Sequence, residues 1–280
     1  MTKAEQKTKA EDLLSLHHAP ELLVLPNIWD PLGALMLQRI GYPAVATASA
    51  SIAFSLGYDD GQNISLDTML EAVGRIAGSV DVPVTADMER GFGERPNEVA
   101  ENMRRVLRAG AVGVNLEDST IEDGPLQDLE FQCNRIRAVR SMADEEGIPL
   151  VINARTDVFI SKFVGNHKTQ VAETIRRGKA YLDSGADCFY PILIGDTATL
   201  KQIHDAVQAP INVLALANTA PMRELEAIGV SRLSLGPGMM KAGMTAMKTI
   251  AGELKEYGSY ERFTTDAMDS GVLRMYLKDS

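Results

Sequence analysis

The chain has 280 residues, 45% hydrophobic and 24% charged, a balance that excludes a disordered polymer and fits a soluble globular protein. A net charge of −10 with no Lys/Arg run argues against nucleic-acid binding, and no apolar stretch reaches the ~18–20 residues of a membrane span. Two cysteines, Cys133 and Cys188, make neither a disulfide framework nor a CxxC pair, and the charged N-terminus lacks an apolar secretory core, so a cytoplasmic setting is expected.

Residues 4–18 read as an amphipathic helix that turns Leu13, Leu14 and Leu16 toward a core. Leu22–Asn27 is a first strand; Asp30 caps and Pro31 opens a helix that runs to Ile40 and stops at Gly41. A second strand, Ala44–Ser49, leads into a loop of small residues from Ser49 to Gly61, then a helix from Ser65 to Gly78. The same beat repeats: strand 83–87 and helix 96–109, strand 112–116 and helix 128–146, strand 150–154 and helix 168–184. Strands 188–193, 211–216 and 232–236 follow, each before a helix, at 197–207, 221–228 and 239–256. Eight βα units without a linker or composition break predict one α/β domain over 1–280, its parallel strands closed as a (β/α)₈ TIM barrel. No GxGxxG follows the first strand, so a doubly wound dinucleotide-binding sheet is unsupported. The extension 257–280, with Tyr260, Phe263 and Met275–Leu277, is too apolar for a free tail and is expected to pack on the barrel or a neighbouring subunit.

The chemistry gathers where strands end. The run Val82–Ala86 is apolar and gives way to Asp87, Glu89, Gly91 and Gly93, although carboxylates are costly to bury unless paired or bound to a cation. The other strand ends supply Asn27, Asp30, Ser49, Asp60, Glu117, Asp118, Arg155, Asp157, Asn218, Gly236 and Gly238. In a barrel these residues share the C-terminal rim, where active sites are built. Asp60, Asp87, Glu89 and Glu117 facing one arginine suit a hard divalent ion, Mg²⁺ or Mn²⁺ in its place, because clustered carboxylates stay ionised together only around a cation. Arg155 then serves as a bidentate clamp for a substrate carboxylate. Asp118 and Asp157 read as caps or loop anchors, Asp60 equally as a turn residue, and both cysteines as core. None of His17, His18, His167 and His204 follows a strand, so a Ser-His-Asp triad or zinc site is unsupported.

The segments LPNIWDPLGALM (25–36), ATASASIAFSLGYDDG (46–61), PVTADMERGFG (83–93), GAVGVNLEDS (110–119), PLVINARTD (149–157) and LSLGPGM (233–239) together resemble the isocitrate lyase / phosphoenolpyruvate mutase superfamily over nearly the whole chain. The resemblance implies a (β/α)₈ barrel that dimerises by swapping its last helix, commonly into a homotetramer, around a Mg²⁺-bound 2-oxo acid. It implies that Asp87 is the direct metal ligand, that Glu89 takes the second acid place with a longer side chain than usual, and that Asp60 and Glu117 hold metal-bound waters. It implies that Arg155 grips the substrate carboxylate and that Ser49 and Ala50 offer backbone N–H groups. The expected sets are therefore Asp60, Asp87, Glu89 and Glu117 for metal, Ser49, Ala50, Asn218 and Arg155 for substrate, and Arg155 and Glu117 for catalysis.

Two departures narrow the chemistry. Lyases of this superfamily that cleave isocitrate or methylisocitrate carry a KKCGH-like sequence after the LED strand, whereas Ser119–Asp128 here holds no Cys, His or Lys. That loop carries three acids, Glu122, Asp123 and Asp128, which would repel a phosphonate dianion. The expected activity is Mg²⁺-dependent cleavage of a C–C bond in a small 2-oxo or 2-hydroxy di- or tricarboxylic acid, by a lyase or hydrolase. Phosphonopyruvate P–C chemistry and a catalytically silent 2-oxo acid binder are the alternatives.

Overall fold

Strands buried on both faces must satisfy their backbone groups against one another, and here they do so around a ring. The structure, a computed structural model, describes residues 1–121, 124–161 and 165–277. The first half comprises α1 (Lys3–His17), β1 (Leu23–Leu25), β2 (Asn27–Ile28), α2 (Pro31–Ile40), β3 (Val45–Thr47), α3 (Ser49–Ser55), α4 (Leu66–Ala77), β4 (Val84–Asp87), α5 (Pro96–Ala109) and β5 (Gly113–Glu117). The second comprises α6 (Leu129–Glu146), β6 (Val151–Thr156), α7 (His167–Asp183), β7 (Cys188–Pro191), α8 (Thr197–Val207), β8 (Asn212–Leu214), α9 (Met222–Ala227) and β9 (Arg232–Ser234), then α10 (Gly238–Tyr257), α11 (Glu261–Asp266) and α12 (Ser270–Leu277).

Six strands pair in the order β2-β3-β4-β5-β6-β7 and three in the order β1-β9-β8, every pairing parallel. The strand expected at Leu22–Asn27 is split by Pro26, whose missing N–H breaks the ladder, so that β1 pairs with β9 while β2 pairs with β3. On the opposite side, Phe189 N donates to Pro210 O (2.9 Å) beside a parallel bridge from Phe189 to Ile211, joining β7 to β8. This is the (β/α)₈ order, with two seams where hydrogen bonding thins.

Local signals set most boundaries. Asp30 accepts from Gly33 N (2.7 Å) and Gly41 ends α2 at φ +103°, as the sequence suggests. The segment after β3 departs from expectation: Ser49–Ser55 is helical, not loop. Ser49, Ala50, Ser51, Ile52 and Ala53 are all buried, so the turn has no polar face from which a period could be read. Strands β7 and β8 end two residues early. After Pro191 the chain passes Leu193 at φ +66°, and after Leu214 the Thr219 hydroxyl closes a turn by accepting from Leu216 N (2.9 Å) and donating to Leu214 O (2.9 Å).

The floor of the ring is closed by α1. Leu13 reaches the point where a Cβ on Gly113 would stand, 2.7 Å away, so a side chain at Gly113 would expel it. The interior above is polar: Thr85, Asn115, Asn153, Asn212 and Arg232 are all buried. His17 Nδ1 lies 2.7 Å from Leu13 O and must donate to it, which leaves Nε2 to accept from Arg232 Nη1 at 3.4 Å. Beyond the barrel, α10 buries only Met240 and exposes Met244, Met247 and Leu254. Within the expected C-terminal extension, α12 touches α2 and Tyr276 packs on the core, but Tyr260, Phe263, Met275 and Leu277 stay exposed; residues 278–280 lie outside the described residues. Among the described residues no helix is long and apolar enough to cross a membrane.

Burial and the adjacent Arg232 push the His17 imidazole down to about 3, so the fold holds it neutral. Unfolding lets it take a proton between its ordinary value near 6.5 and pH 3; its contribution is whole above pH 6.5 and lost as pH falls, at up to about 1.4 kcal/mol per pH unit. Denaturant melts of His17→Gln are expected to lose less stability than the native chain between pH 6.5 and 4.

Candidate active site

A cavity of about 150 Å³ opens at the rim where the strands end, lined by residues from Asn27 round to Pro237. A larger, shallower cavity of about 570 Å³ lies among His17, His18, His204 and Ser231, but the converging acids are in the first. The rim pocket collects Ser49, Ala50, Asp60, Asp87, Glu89, Glu117 and Arg155, every expected site residue except one. Asn218 is exposed and does not line it, because the turn closed by Thr219 carries it past the early end of β8.

Asp87, the last residue of β4, is braced from both neighbouring strands. Its Oδ2 accepts from Ser49 Oγ (2.7 Å) and Ser49 N (3.3 Å), its Oδ1 from Asn115 Nδ2 (3.4 Å), and its own N–H donates to Thr47 Oγ1 (3.0 Å). The unexpected α3 thus has a role: it delivers Ser49 to Asp87. Glu89 follows at φ +48°, a left-handed conformation that costs a non-glycine residue on the order of 1 kcal/mol. Its carbonyl still accepts from Glu117 N (2.9 Å), which keeps the bulged segment tied to β5. Gly91 is compelled by packing, since a Cβ there would stand 2.7 Å from Val99 Cγ1.

Glu89 is 4% exposed, and its Oε2 has no hydrogen-bond partner among the described residues. Burial, then the charges of Asp87 and Asp60, push its carboxyl up to about 8. Burial and Asp87 likewise raise Asp60, which accepts from Gly61 N (3.0 Å). Glu117 and Arg155 are partners in the β5–β6 register, and their side chains meet at 2.7 Å. Asp157 takes Arg155 Nε (2.6 Å) and Nη2 (3.1 Å) side-on. Arg155 is largely buried, its side chain 16% exposed, yet Glu117 and Asp157 hold its proton affinity above the ordinary arginine value, so it stays charged. Burial raises Glu117 against the pull of Arg155. Hydrogen bonds to Asp157 thus take two of the five guanidinium N–H donors, Nε and one on Nη2, while Nη1 stands against Glu117 as an ion pair. Opposite this charged half, Tyr190, Ile192, Leu214 and Pro237 form an apolar wall, with the Tyr190 hydroxyl bonded to Ser234.

Three contributors escaped the sequence reading. Arg90 donates from Nη2 to Gly61 O (2.8 Å) and stands 3.5 Å from Glu117 Oε1, tying the Asp60 turn to β5. Its signal was present as a cation inside the acidic strand end. Asn115, an amide in an otherwise apolar strand, was also visible. Asp157 looked like a loop anchor, and only the fold reveals that it holds Arg155. In the 119–128 loop, Asp128 caps α6 by accepting from Phe131 N (3.1 Å), while Glu122 and Asp123 lie outside the described residues.

The acid set fits a divalent ion carried partly by water. Carboxylates outnumber guanidiniums, they raise one another's proton affinity, and Glu89 presents an unpartnered buried oxygen. Among the described residues no three His, Cys, Asp or Glu side chains close into an all-protein cage. Mg²⁺ is an ion that keeps several waters and takes one or two carboxylates directly.

Residues 13–255 match the family model for phosphoenolpyruvate phosphomutase. A solved structure from Burkholderia cenocepacia J2315, named only provisionally as a lyase/mutase, superposes with TM-score 0.90 at 32% identity, covering 98% of this chain and 97% of that one. The 2-methylisocitrate lyase of Escherichia coli (strain K12) is 30% identical over 184 residues, 64% of this chain and 60% of that protein. Oxaloacetate acetylhydrolase in complex with oxalate shares the fold at TM-score 0.83 and 24% identity, covering 96% of this chain and 93% of that one.

The Glu89 carboxyl keeps its proton in the fold to about pH 8, whereas the unfolded chain releases it near 4.5, so its ionisation lowers stability as pH rises through that window. Between pH 6.5 and 8 the His17 contribution is flat. In the presence of a chelator, the melting temperature of the native chain is expected to fall across that interval more steeply than that of Glu89→Gln.

Proposed function

The chain belongs to the phosphoenolpyruvate phosphomutase family, and from that premise we propose that it is a Mg²⁺-dependent lyase or hydrolase that cleaves a carbon–carbon bond of a small 2-oxo or 2-hydroxy di- or tricarboxylic acid. The observation that carries this reading is the convergence of Asp60, Asp87, Glu89 and Glu117 with Arg155 in one pocket that also has an apolar wall. Asp87 would hold the ion directly with Glu89 beside it, and Asp60 and Glu117 would hold its water. The bound ion supplies Lewis-acid stabilisation, worth several kcal/mol, for the negative charge that develops as the bond breaks.

The chain's own residues do the rest. Arg155 receives a substrate carboxylate on N–H groups of Nη1 and Nη2 not bonded to Asp157, a charge-assisted contact strengthened by burial. Glu117 and Asp157 keep that guanidinium from swinging, so the carboxylate is fixed before reaction begins. The Ser49 hydroxyl and Asn115 amide orient Asp87, so that little rearrangement is required when the ion binds. Tyr190, Ile192 and Leu214 exclude water from the other half of the pocket and receive the departing fragment.

Cleavage of a P–C bond is the second reading, favoured by the phosphomutase description of the matching family. The acids of the 119–128 segment speak against it. Assays with Mg²⁺ separate the two: oxalate from oxaloacetate or pyruvate from an alkyl-substituted malate on one side, and phosphate or phosphoenolpyruvate from phosphonopyruvate on the other. Turnover of a carbon acid is expected, with Asp87→Ala lowering kcat/KM by at least about 100-fold. Activity unaffected by that substitution would refute the metal assignment; Mg²⁺-dependent stabilisation by oxalate without any turnover would make the protein a silent binder.

The same reading includes a homodimer or homotetramer built by exchange of the last helix, supported by the row Met244, Met247 and Leu254 that α10 leaves exposed. Light scattering at micromolar concentration is expected to return a dimer or larger assembly, and Met247→Lys to shift it toward monomer.

A further inference from the structure

We propose that Asp118, Arg177 and Tyr181 form a buried clamp that aims Arg155, making them positioning residues for the substrate's carboxylate; this rests on the role given to Arg155 above. Asp118 follows Glu117 at the end of β5 and caps nothing, since the next helix, α6, takes Asp128 as its cap. It is entirely buried, a location that costs a carboxylate several kcal/mol unless it is paired.

The fold supplies it with four donors. Its Oδ1 accepts from Asp157 N (2.8 Å), and its Oδ2 from Thr156 Oγ1 (2.7 Å), Tyr181 Oη (2.6 Å) and Arg177 Nη1 (3.1 Å). Arg177 is 5% exposed and is itself held by Glu173 Oε1 (2.8 Å), while its Nη2 donates to Gln127 O (3.0 Å). Gln127 N in turn donates to Asp118 O (2.7 Å). Helix α7 thus reaches under the rim and grips the ends of two strands and the residue preceding the Asp128 cap.

What the clamp fixes is the peptide that carries Asp157. Two of its four bonds fall on Thr156 and Asp157, immediately after Arg155, and Asp157 is the residue that holds the guanidinium side-on. With that peptide pinned, the Asp157 carboxylate selects the Arg155 rotamer and leaves its remaining N–H groups in one orientation. A buried ion pair adds little net stability over apolar packing, so a network of this cost is better explained by the geometry it imposes.

The test compares the native protein with Tyr181→Phe, Arg177→Met, Arg177→Lys and a core truncation away from the clamp, Leu200→Ala. Calorimetry would give the Kd of oxalate with saturating Mg²⁺, the Kd of Mn²⁺ alone, and the melting temperature of each. Arg177→Met is expected to raise the oxalate Kd about 10-fold or more and Tyr181→Phe about 3-fold, with Arg177→Lys in between, because misplacing a positioning group weakens the contacts it aims. Mn²⁺ affinity should stay within about 2-fold, since Asp87 and Glu89 belong to another strand. Lower melting temperatures with unchanged oxalate affinity, the pattern expected of Leu200→Ala, would overturn the clamp. If Arg177→Met does not fold, Tyr181→Phe decides the matter. If the native protein binds no oxalate, the reading of Arg155 falls and the clamp's role with it; native binding that the variants retain removes the clamp alone.

Discussion

Carboxylates cannot be crowded into a nearly dry pocket unless positive charge is set among them, and this constraint governs the upper half of the barrel. The Glu117–Arg155 pair is its central expression: register partners on β5 and β6, Glu117 buried and Arg155 largely so, joined at 2.7 Å. Arg90 approaches Glu117 from the β4 side, Asp157 occupies the far edge of Arg155, and Asp118 answers to Arg177 below. Each acid compensated in this way leaves Asp60, Asp87 and Glu89 as the uncompensated remainder. On the proposed reading, that remainder is where a divalent ion would be held, with water completing its shell.

Much of this was legible in the sequence, and the reasons are specific. Glu89 and Glu117 interrupt apolar runs, and apolar runs that end in charge mark strand ends in a parallel barrel. Asp30-Pro31 and Gly41 bracket α2 because capping and left-handed termination are local effects. What stayed hidden was non-local. The helix at Ser49–Ser55 is stabilised by burial on every side, which erases the pattern that announces a helix. Asn218 was assigned by its distance from a strand end, and a two-residue change in where β8 stops was enough to move it out of the pocket. Asp118 and Asp157 looked alike on paper. One proved to be an interior anchor and the other a holder of arginine, a distinction set by α7, whose Arg177 lies 59 residues beyond Asp118.

The pocket is divided by strand rather than by depth. Asp87, Glu89, Glu117 and Arg155 come from β4, β5 and β6 with their following turns, and Asp60 from the α3–α4 turn after β3, whereas Tyr190, Ile192 and Leu214 come from β7, the residues just after it, and β8. A substrate on the proposed reading would lie across this boundary, its oxygen-rich end over the acids and the fragment that departs over the apolar wall. Such a division suits bond cleavage, since the charge that appears is kept on the side built to receive it.

Gly113 lacks the side chain that would keep Leu13 out, and His17 accepts a hydrogen bond from Arg232 inside the ring, so α1 stoppers the floor. Among the described residues the barrel is accordingly a cup and not a tube: on the proposed reading, reactant would enter and products would leave by way of the rim.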